Sequence, residues 1–228
     1  MARLECNRRV KKSMSYAKQI TLPHALERKP PPFEGNDIKS PESLARFVIE
    51  NYSKKDGKVF DPFTGLGTTL FVAEERERTP FGMETDGEKY EWVAAQLENW
   101  MQLINDDAAK SDQYGFPKMD LVFTAPPFMA QNHKWNPLYN GDPKKAGYDK
   151  YLKRMGVIFK KMIPLMKTNT HLVIQVDNIK QGKVFTPLIH DLVACLKPSF
   201  KQVDEINVKW DNSKEDYSYT TLVVFKKK

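Results

Sequence analysis

The sequence predicts an α/β fold with a mostly parallel sheet, on the basis of three observations. Short apolar segments typical of buried strands alternate with longer segments in which apolar residues recur at helical spacing. The chain then closes on two successive strand-like segments across the turn DNSKED, residues 211–216. Alternation favours parallel strands joined by helices, and two successive strands pair antiparallel. Glycine, proline and acidic residues follow the predicted strands, at the edge where such sheets bind ligands.

The chain has 228 residues, of which 40% are hydrophobic, and this suits one domain with a sizeable core. No apolar run reaches the ~18 residues of a membrane span, and the amino-terminal residues lack the apolar region of a secretory signal. Cys6 and Cys195 are too few for a disulfide framework or a cysteine zinc site. We therefore expect a reducing, cytoplasmic setting.

The formal net charge is +7, and the excess is concentrated in two blocks. Residues 1–40 hold nine lysines and arginines against four acidic residues, and residues 134–167 hold nine against two. Two basic blocks indicate a polyanionic partner, nucleic acid above all. A solvated, lysine-rich surface explains the charge equally well when charge is considered alone.

In chain order, the first helix is predicted to begin at Ser40-Pro41-Glu42. Serine is a preferred N-cap and proline suits the first helical position, which Pro41 would occupy. Apolar residues at helical spacing predict later helices at 68–78, 87–104, 148–166 and 184–196. Apolar runs predict strands at 58–60, 81–84, 119–123, 171–176, 203–210 and 217–225. A long polar loop is expected at 129–147.

The loop after the first of these strands, DPFTGLGTT at residues 61–69, is the most distinctive stretch. Gly65 and Gly67 let the backbone approach a ligand where a Cβ would collide. Asp61 places a carboxylate at the strand end, where it could hold a cation. The two closing threonines are expected to cap the next helix. No lysine follows the second glycine, so a triphosphate-binding loop is not predicted.

Acidic residues follow the next predicted elements. Glu84, within GMETD at 82–86, stands about 20 residues after the glycine loop, where an acidic side chain can hydrogen-bond a ribose diol. In NDDA at 105–108, Asp107 or Asp106 could accept a hydrogen bond from an adenine amino group. Taken alone, Glu84 could equally be a surface glutamate, and two adjacent acids such as Asp106 and Asp107 are more often solvated than functional.

The stretch TAPPF, residues 124–128, ends the strand that begins at Met119. Its paired prolines fix φ and carry no N–H group, and Pro126 holds Ala125 extended. The backbone carbonyls of Ala125 and Pro126 are thus aimed outward, and Phe128 can present a ring face. A rigid acceptor beside an aromatic ring suits a planar base that bears an amino group. A simple strand end with a core phenylalanine explains the same residues.

Together, DPFTGLGTT, GMET followed by Tyr90, and DLVFTAPPF resemble motifs I, II and IV of the S-adenosylmethionine-dependent amino-methyltransferases. These are the DNA cytosine-N4 and adenine-N6 enzymes and their RNA-acting relatives, and the resemblance covers roughly residues 36–226. It implies a Rossmann-like class I methyltransferase fold, with a mostly parallel seven-stranded sheet and an antiparallel last strand. The methyltransferase domain would span 40–228, after a basic, largely irregular arm at 1–39.

The resemblance also implies site residues. S-adenosylmethionine would be bound by Ser40, Pro41, Asp61, Phe63, Gly65, Gly67, Thr68, Thr69, Glu84 and Asp107. Asp61 would lie near its cationic methionine end, Glu84 at the ribose hydroxyls and Asp107 at the adenine. The catalytic stretch would be Thr124, Ala125, Pro126, Pro127 and Phe128. In it, the Pro126 carbonyl would accept from the target amine, and Phe128 would stack on a base swung out of its helix.

The family carries Asp, Asn or Ser as a second acceptor where this chain has Ala125, which lacks one. The family form nearest to TAPPF is TSPPY, typical of cytosine-N4 enzymes. One missing hydrogen bond to the reacting group costs ~2–4 kcal/mol if nothing replaces it. Thr124, Asn132 or His133 could supply the second acceptor.

The loop 129–147 and the basic arm are the candidates for recognising the substrate. The residues expected to do so are His133, Lys134, Trp135, Tyr139, Lys144 and Lys145, because aromatic rings among lysines suit base stacking and phosphate contacts.

The sequence therefore favours methyl transfer to an exocyclic amine of a base in DNA, cytosine-N4 ahead of adenine-N6. RNA is the nearest alternative substrate. A non-catalytic protein that kept the cofactor pocket is a second alternative, because Ala125 lacks an acceptor. A protein or small-molecule amine has less support, since it would leave the basic surplus unused.

Overall fold

The computed structural model describes residues 18–24, 26–28, 40–211 and 219–228. Its strands are β1 (Lys18–Leu22), β2 (Lys58–Asp61), β3 (Thr79–Met83), β4 (Leu103–Ile104), β5 (Met119–Thr124), β6 (Met166–Val176), β7 (Ile179–Gln181), β8 (Val184–Thr186), β9 (Phe200–Trp210) and β10 (Tyr219–Lys227). Its helices are α1 (Glu42–Tyr52), α2 (Thr68–Glu75), α3 (Gly87–Ala94), α4 (Tyr148–Met162) and α5 (Leu188–Leu196).

The main sheet has the strand order β1-β9-β10-β6-β5-β2-β3-β4. The strands from β4 to β6 in that order are parallel, and β10 is antiparallel to both of its neighbours. The predicted mostly parallel sheet with an antiparallel last strand is thus confirmed. Because β2, β3, β5 and β6 are parallel, their carboxyl ends meet at one edge, where the candidate site lies.

Among the described residues, the sheet has eight strands instead of the expected seven, because β1 pairs in parallel with the end of β9. β1 falls within the arm that was expected to be largely irregular. Ile20 and Leu22 pack against the core on the α1 side of the sheet, and this burial of apolar side chains favours the added strand. The remainder of the arm, apart from residues 23, 24 and 26–28, lies outside the described residues.

Helices cover both faces of the sheet. Side chains of α1 and α2 form a core with one face, including Leu44, Val48 and Val72. Side chains of α4 and α5 form the core on the other face, including Phe159 and Leu192. Among the helices of the described residues, none combines the length and the apolar character that crossing a membrane requires.

Several element boundaries differ from the sequence-based expectation. The N-cap of α1 is Pro41, one residue later than expected. The helix expected at 87–104 ends at Ala94, because Leu103 and Ile104 form β4 and pair with the end of β3. The helix expected at 184–196 begins only at Leu188, because residues 184–186 pair with β7. Pairing between distant segments overrides the local periodicity in both places.

The other differences are smaller. The helix expected at 148–166 ends at Met162, and β6 begins at Met166, five residues earlier than expected. The last two strands form the expected antiparallel pair, β9 and β10. Of the turn predicted between them, only Asp211 belongs to the described residues. Tyr217, the expected start of the last strand, also lies outside the described residues.

Candidate active site

Asp61 lies at the carboxyl end of β2 and is buried, with 3% of its surface exposed. One carboxylate oxygen accepts from the backbone N–H of Phe63 at 3.0 Å and from the hydroxyl of Thr124 at 2.6 Å. Burial raises the pKa of Asp61 to about 6, although hydrogen bonds from Thr124, Thr69 and Phe63 act to lower it. Within the described residues, no cationic side chain pairs with this carboxylate. The site therefore holds a buried anion, which a cationic ligand can balance.

The Asp61–Thr124 hydrogen bond joins the first and the last of the predicted strand-end motifs. Thr124 is fully buried at the end of β5, the strand that pairs with β2. The DPFTGLGTT loop and the TAPPF stretch are thereby held side by side. The predicted cofactor-binding and catalytic segments thus adjoin each other at the carboxyl edge.

The glycine loop between β2 and α2 has the backbone conformation that glycine favours. Gly65 and Gly67 have φ of 52° and 76°. A Cβ on Gly67 would lie 2.8 Å from ring atoms of Phe71 and 2.8 Å from a methyl group of Val93. Gly67 is also the N-cap residue of α2, so the expectation that Thr68 and Thr69 cap this helix is wrong: they are its first two residues. Their burial leaves Thr69 next to Asp61.

Glu84 follows β3 and holds the glycine loop from the other side. Its carboxylate accepts from the N–H of Gly65 at 2.7 Å and from the N–H of Asp86 at 2.9 Å. Burial raises the pKa of Glu84, although these two N–H groups act to lower it. The remaining oxygen lone pairs can accept from the hydroxyls of a ribose. Asn105 donates to the Glu84 carbonyl at 2.8 Å and fixes this strand end.

Asp107 follows β4 and begins a short 3₁₀ helix. One oxygen accepts from the N–H of Ala109 at 2.8 Å, and the other is paired with the Arg154 guanidinium. The Asp106 carboxylate is bound by Lys110 and Tyr114 and also accepts from the N–H of Asp107 at 2.7 Å. Arg154 comes from α4 and has no motif in the sequence to reveal it. Only the tertiary structure shows that it lies next to the residue expected at the adenine.

The TAPPF stretch is rigid and partly accessible. Pro126 is buried, while Phe128 is 38% exposed. The hydroxyl of Tyr151 on α4 donates to the Pro127 carbonyl at 3.1 Å, and this hydrogen bond ties the stretch to α4. The hydrogen bonds of the described residues leave the Pro126 carbonyl without a donor. It is therefore free to accept from a substrate.

Ser40, expected to cap α1, instead donates from its hydroxyl to the side-chain carbonyl of Gln175 at 2.9 Å. Gln175 lies near the carboxyl end of β6, so this bond brings the Ser40-Pro41 turn over the candidate site. Gln175 also donates to the hydroxyl of Thr220 at 3.3 Å. Gln175 carried no motif in the sequence.

The loop 129–147 is more ordered than a polar loop suggests. Asn136 is fully buried; it accepts from the N–H of Leu138 and donates to the Lys145 carbonyl at 3.1 Å. Two short 3₁₀ helices follow, at 137–139 and 143–145. The loop exposes Trp135, 68% accessible, together with Lys134 and His133. His133 contacts the Trp135 carbonyl at 2.9 Å through its ring nitrogen Nδ1.

A cleft of about 300 Å³ lies between this loop and the start of α4. We call it the basic cleft; it is lined by Tyr139, Lys145, Lys150, Lys153, Arg154 and Val157. The Tyr139 ring lies 4.7 Å from the Lys145 ammonium and 5.0 Å from the Arg154 guanidinium. Among the described side chains, no carboxylate pairs with Lys150 or Lys153. The structure thus adds three cations of α4 to the predicted Tyr139 and Lys145, whereas Lys144 lies beside the cleft.

Comparison with known proteins places this chain beside methyltransferases. Residues 6–96 match the family described as DNA methylase. A comparison of the sequence with curated proteins found no match.

Three solved structures are similar in fold. TrmN from Thermus thermophilus is 17% identical, with a TM-score of 0.59 over 82% of this chain and 49% of that one, so this chain spans about half its length. SMU.1697c from Streptococcus mutans, solved in complex with SAH, is 13% identical, with a TM-score of 0.52 over 84% of this chain and 100% of that one. An rRNA methylase from Streptococcus thermophilus is 11% identical, with a TM-score of 0.52 over 84% of this chain and 98% of that one.

At these identities the structural likenesses establish the fold. The family match and the fold together support S-adenosylmethionine as the cofactor. The residues fit that group, since a buried carboxylate without a cationic partner adjoins a glycine loop and an accessible acid. The predicted resemblance is thus confirmed: the chain has the class I methyltransferase fold, and its residues 6–96 match the DNA methylase family.

Proposed function

We propose that this protein transfers a methyl group from S-adenosylmethionine to an exocyclic amine of a base in DNA, with cytosine-N4 favoured over adenine-N6. The observation that carries this is the Asp61–Thr124 hydrogen bond, because it holds the cofactor loop against the TAPPF stretch. A methyl donor on one side and an amine acceptor on the other would then share one edge of the sheet.

Held by Asp61, the glycine loop and Glu84, S-adenosylmethionine would supply a methyl group on a sulfonium for transfer to the amine nitrogen, with the electrons of the carbon–sulfur bond returning to sulfur and a proton passing from nitrogen to water. The amine is a poor nucleophile, because its lone pair is delocalised into the base ring. The Pro126 carbonyl holds one of its hydrogens and favours a pyramidal nitrogen. Phe128 stacks on the base. Positioning and electrostatics thus supply most of the acceleration.

On the cofactor side, Asp61 balances the positive charge of the methionine end, and its burial strengthens that interaction. Glu84 accepts from the ribose hydroxyls while it holds Gly65. Asp107 would face the adenine, with one oxygen accepting from the Ala109 N–H and the other paired with Arg154. Ser40 closes the pocket from the turn before α1.

A nucleic-acid substrate is supported by the basic cleft and the loop 129–147. Lys145 and Arg154 lie over the Tyr139 ring in this cleft, and Lys150 and Lys153 also line it. Such cations suit backbone phosphates, which position a nucleic acid without reading its sequence. The exposed ring of Trp135 suits stacking on an unpaired base.

Transfer of tritiated methyl groups to DNA and to RNA, followed by nucleoside analysis, tests the proposal. We expect label in DNA as N4-methylcytosine, and less or none as N6-methyladenine. Label in N6-methyladenine alone would mean that adenine-N6, and not cytosine-N4, is the preferred target. Absence of label in every nucleic acid would refute the function itself.

The role of the cleft is tested by the salt dependence of binding to a labelled oligonucleotide. We expect the double substitution Lys150→Glu with Lys153→Glu to reduce the magnitude of the slope of log Kobs against log salt by about 1.4–1.8, because each phosphate contact contributes ~0.7–0.9. The matched control, Lys54→Glu with Lys201→Glu, removes two exposed lysines at the opposite edge of the sheet. Equal losses in both pairs would mean that overall charge, and not the cleft, governs binding.

RNA is the second candidate substrate, favoured by the fold similarity to an rRNA methylase. The same transfer assay decides between the two, since methylated cytidine or adenosine from RNA, with none from DNA, would select RNA. A catalytically impaired protein is the third, and it is motivated by Ala125. Transfer that appears only after Ala125→Ser would support it, while wild-type transfer abolished by Phe128→Ala would exclude it.

A further inference from the structure

Gln175 lies beside Ala125, the position that lacks an acceptor. β5 and β6 pair in parallel, and Thr124 faces Ile174 at the end of that pairing. Gln175 is the next residue of β6, and Ala125 directly follows the last residue of β5, where Pro126 holds it extended. Neighbouring strands lie about 4.8 Å apart. Two residues earlier on each strand, Phe123 and Val173 belong to one core cluster on the α1 side. Since side chains alternate along strands, Ala125 and Gln175 point to that same side.

Hydrogen bonds hold the Gln175 side chain and define which end is the oxygen. Its Oε1 accepts from Ser40 at 2.9 Å, and its Nε2 donates to Thr220 at 3.3 Å. The Thr220 hydroxyl donates to Asp177 at 2.7 Å, and the N–H of Thr221 donates to the other Asp177 oxygen at 2.9 Å. An ionised carboxylate only accepts, so Thr220 must donate to it and must accept from Gln175. The carboxylate of Asp177 thus fixes which end of the Gln175 amide is the oxygen and which is the nitrogen.

Burial raises the pKa of Asp177 to about 6, while the Thr220 and Thr221 donors act to lower it, so the carboxylate is ionised at neutral pH. The chain from Asp177 through Thr220 to Gln175 therefore begins at a negative charge. Linked hydrogen bonds polarise one another in a protein interior. This makes the Gln175 oxygen a stronger acceptor than an isolated amide. Of its two lone pairs, one accepts from Ser40 and the other is available.

The other residues that the sequence offered as a second acceptor, Thr124, Asn132 and His133, are less suited to that role. The Thr124 hydroxyl donates to Asp61 at 2.6 Å and is fully buried. The His133 ring contacts the Trp135 carbonyl and is exposed. Asn132 is also exposed in the loop. Gln175 is partly accessible and adjoins the TAPPF stretch through the sheet itself.

We infer that the Oε1 of Gln175 is the second acceptor for the target amine, in place of the side chain that Ala125 lacks. The inference rests on the proposed function, because it takes the target to be an exocyclic amine. Pro126 accepts one amine hydrogen and Gln175 the other, with Ser40, Thr220 and Asp177 as positioning residues. The amide is not a base, so the proton released when the nitrogen–carbon bond replaces the carbon–sulfur bond passes to water.

Binding of bases tests the inference without any turnover. Affinities for dCMP and dUMP, and for dAMP and dIMP, are measured by titration calorimetry in the presence of S-adenosylhomocysteine. We expect the wild type to prefer one amine-bearing base over its keto counterpart by about tenfold, and Gln175→Leu to reduce that preference by about fivefold. The control, Gln202→Leu, loses a side-chain amide on β9 and keeps the full preference. Equal binding of amine and keto bases by the wild type, or an unchanged preference in Gln175→Leu, would overturn the inference.

Kinetics give a second readout. We expect Gln175→Leu to lower kcat about 100-fold, as for loss of one catalytic hydrogen bond. Adding Ala125→Ser to that variant should restore at least tenfold, because serine returns an acceptor to the position of the family. A merely structural role of Gln175 would not be rescued in this way. If the wild type transfers no methyl group, the proposed function is refuted. The comparison of amine-bearing and keto bases would still test whether Gln175 accepts from the amine.

Discussion

Replacing Asp61 with asparagine should stabilise the protein and weaken binding of the cofactor. Burial raises the pKa of Asp61 from 3.8 to about 6, so the folded state holds its proton more tightly than the unfolded state does. Below pH 4 the carboxyl is neutral in both states and costs nothing. Between pH 4 and pH 6 the stability falls, and above pH 6 the full cost of about two pKa units, or ~3 kcal/mol, is present.

The asparagine variant removes this cost and preserves the local hydrogen bonds. Its carbonyl can accept from Phe63 and Thr124 as the carboxylate does. The Thr69 hydroxyl, which hydrogen-bonds to Asp61, can turn to accept from the new amide group. We therefore expect Asp61→Asn to raise the free energy of unfolding by about 3 kcal/mol at pH 8 and by about half as much at pH 5.

Urea unfolding of the ligand-free protein at pH 8 and pH 5 measures this difference. Asp120→Asn is the matched control: burial acts to raise the pKa of Asp120, but Lys167 and the Lys58 N–H lower it overall. Its substitution should therefore destabilise at pH 8. In calorimetry, Asp61→Asn should weaken S-adenosylmethionine binding by about 10- to 100-fold, as expected for loss of a hydrogen bond to a charged group. Equal stability of wild type and variant at pH 8, or a difference independent of pH, would refute the reasoning.

Three further substitutions probe the site. Gly67→Ala should lower the free energy of unfolding by about 2–4 kcal/mol, because a Cβ would overlap the Phe71 ring at 2.8 Å in a left-handed conformation, and an unchanged urea midpoint would contradict this. Phe128→Ala should change stability by less than about 1 kcal/mol but lower methyl transfer at least tenfold, since stacking on a base contributes ~1–3 kcal/mol. Transfer at the wild-type rate would exclude the stacking role. Tyr151→Phe should lower the free energy of unfolding by about 1 kcal/mol, because the Pro127 carbonyl loses its hydrogen-bond donor. Thermal unfolding measures this, and an unchanged midpoint would contradict it.

Much of the fold could be predicted because its signals are local. The strands β2, β3 and β5 are short apolar runs followed by residues with strong local constraints, such as Gly65 and Pro126. Glycine at positive φ and proline without an N–H impose the same backbone wherever they occur. The order of these segments along the chain then restricted the sheet to a few arrangements.

Elements that depend on distant partners were missed. β1 exists because it pairs with β9, nearly 190 residues away in sequence, and β4 exists because two residues pair with β3. Helical periodicity near residue 103 and the irregular composition of the arm gave no sign of either. Strand formation depends on the neighbour more than on the segment itself.

The sequence by itself determined the class of site: a glycine loop after Asp61, an acid at residue 84 and a proline-fixed strand end at 124–128. These features are local, since each residue type carries its own backbone or charge constraint. Only the tertiary structure decided which side chains meet. Thr124 reaches Asp61, Arg154 reaches Asp107 and Gln175 adjoins Ala125 because neighbouring strands and α4 bring together residues far apart in the chain. Such contacts depend on sheet register and helix placement, which no single stretch of sequence encodes.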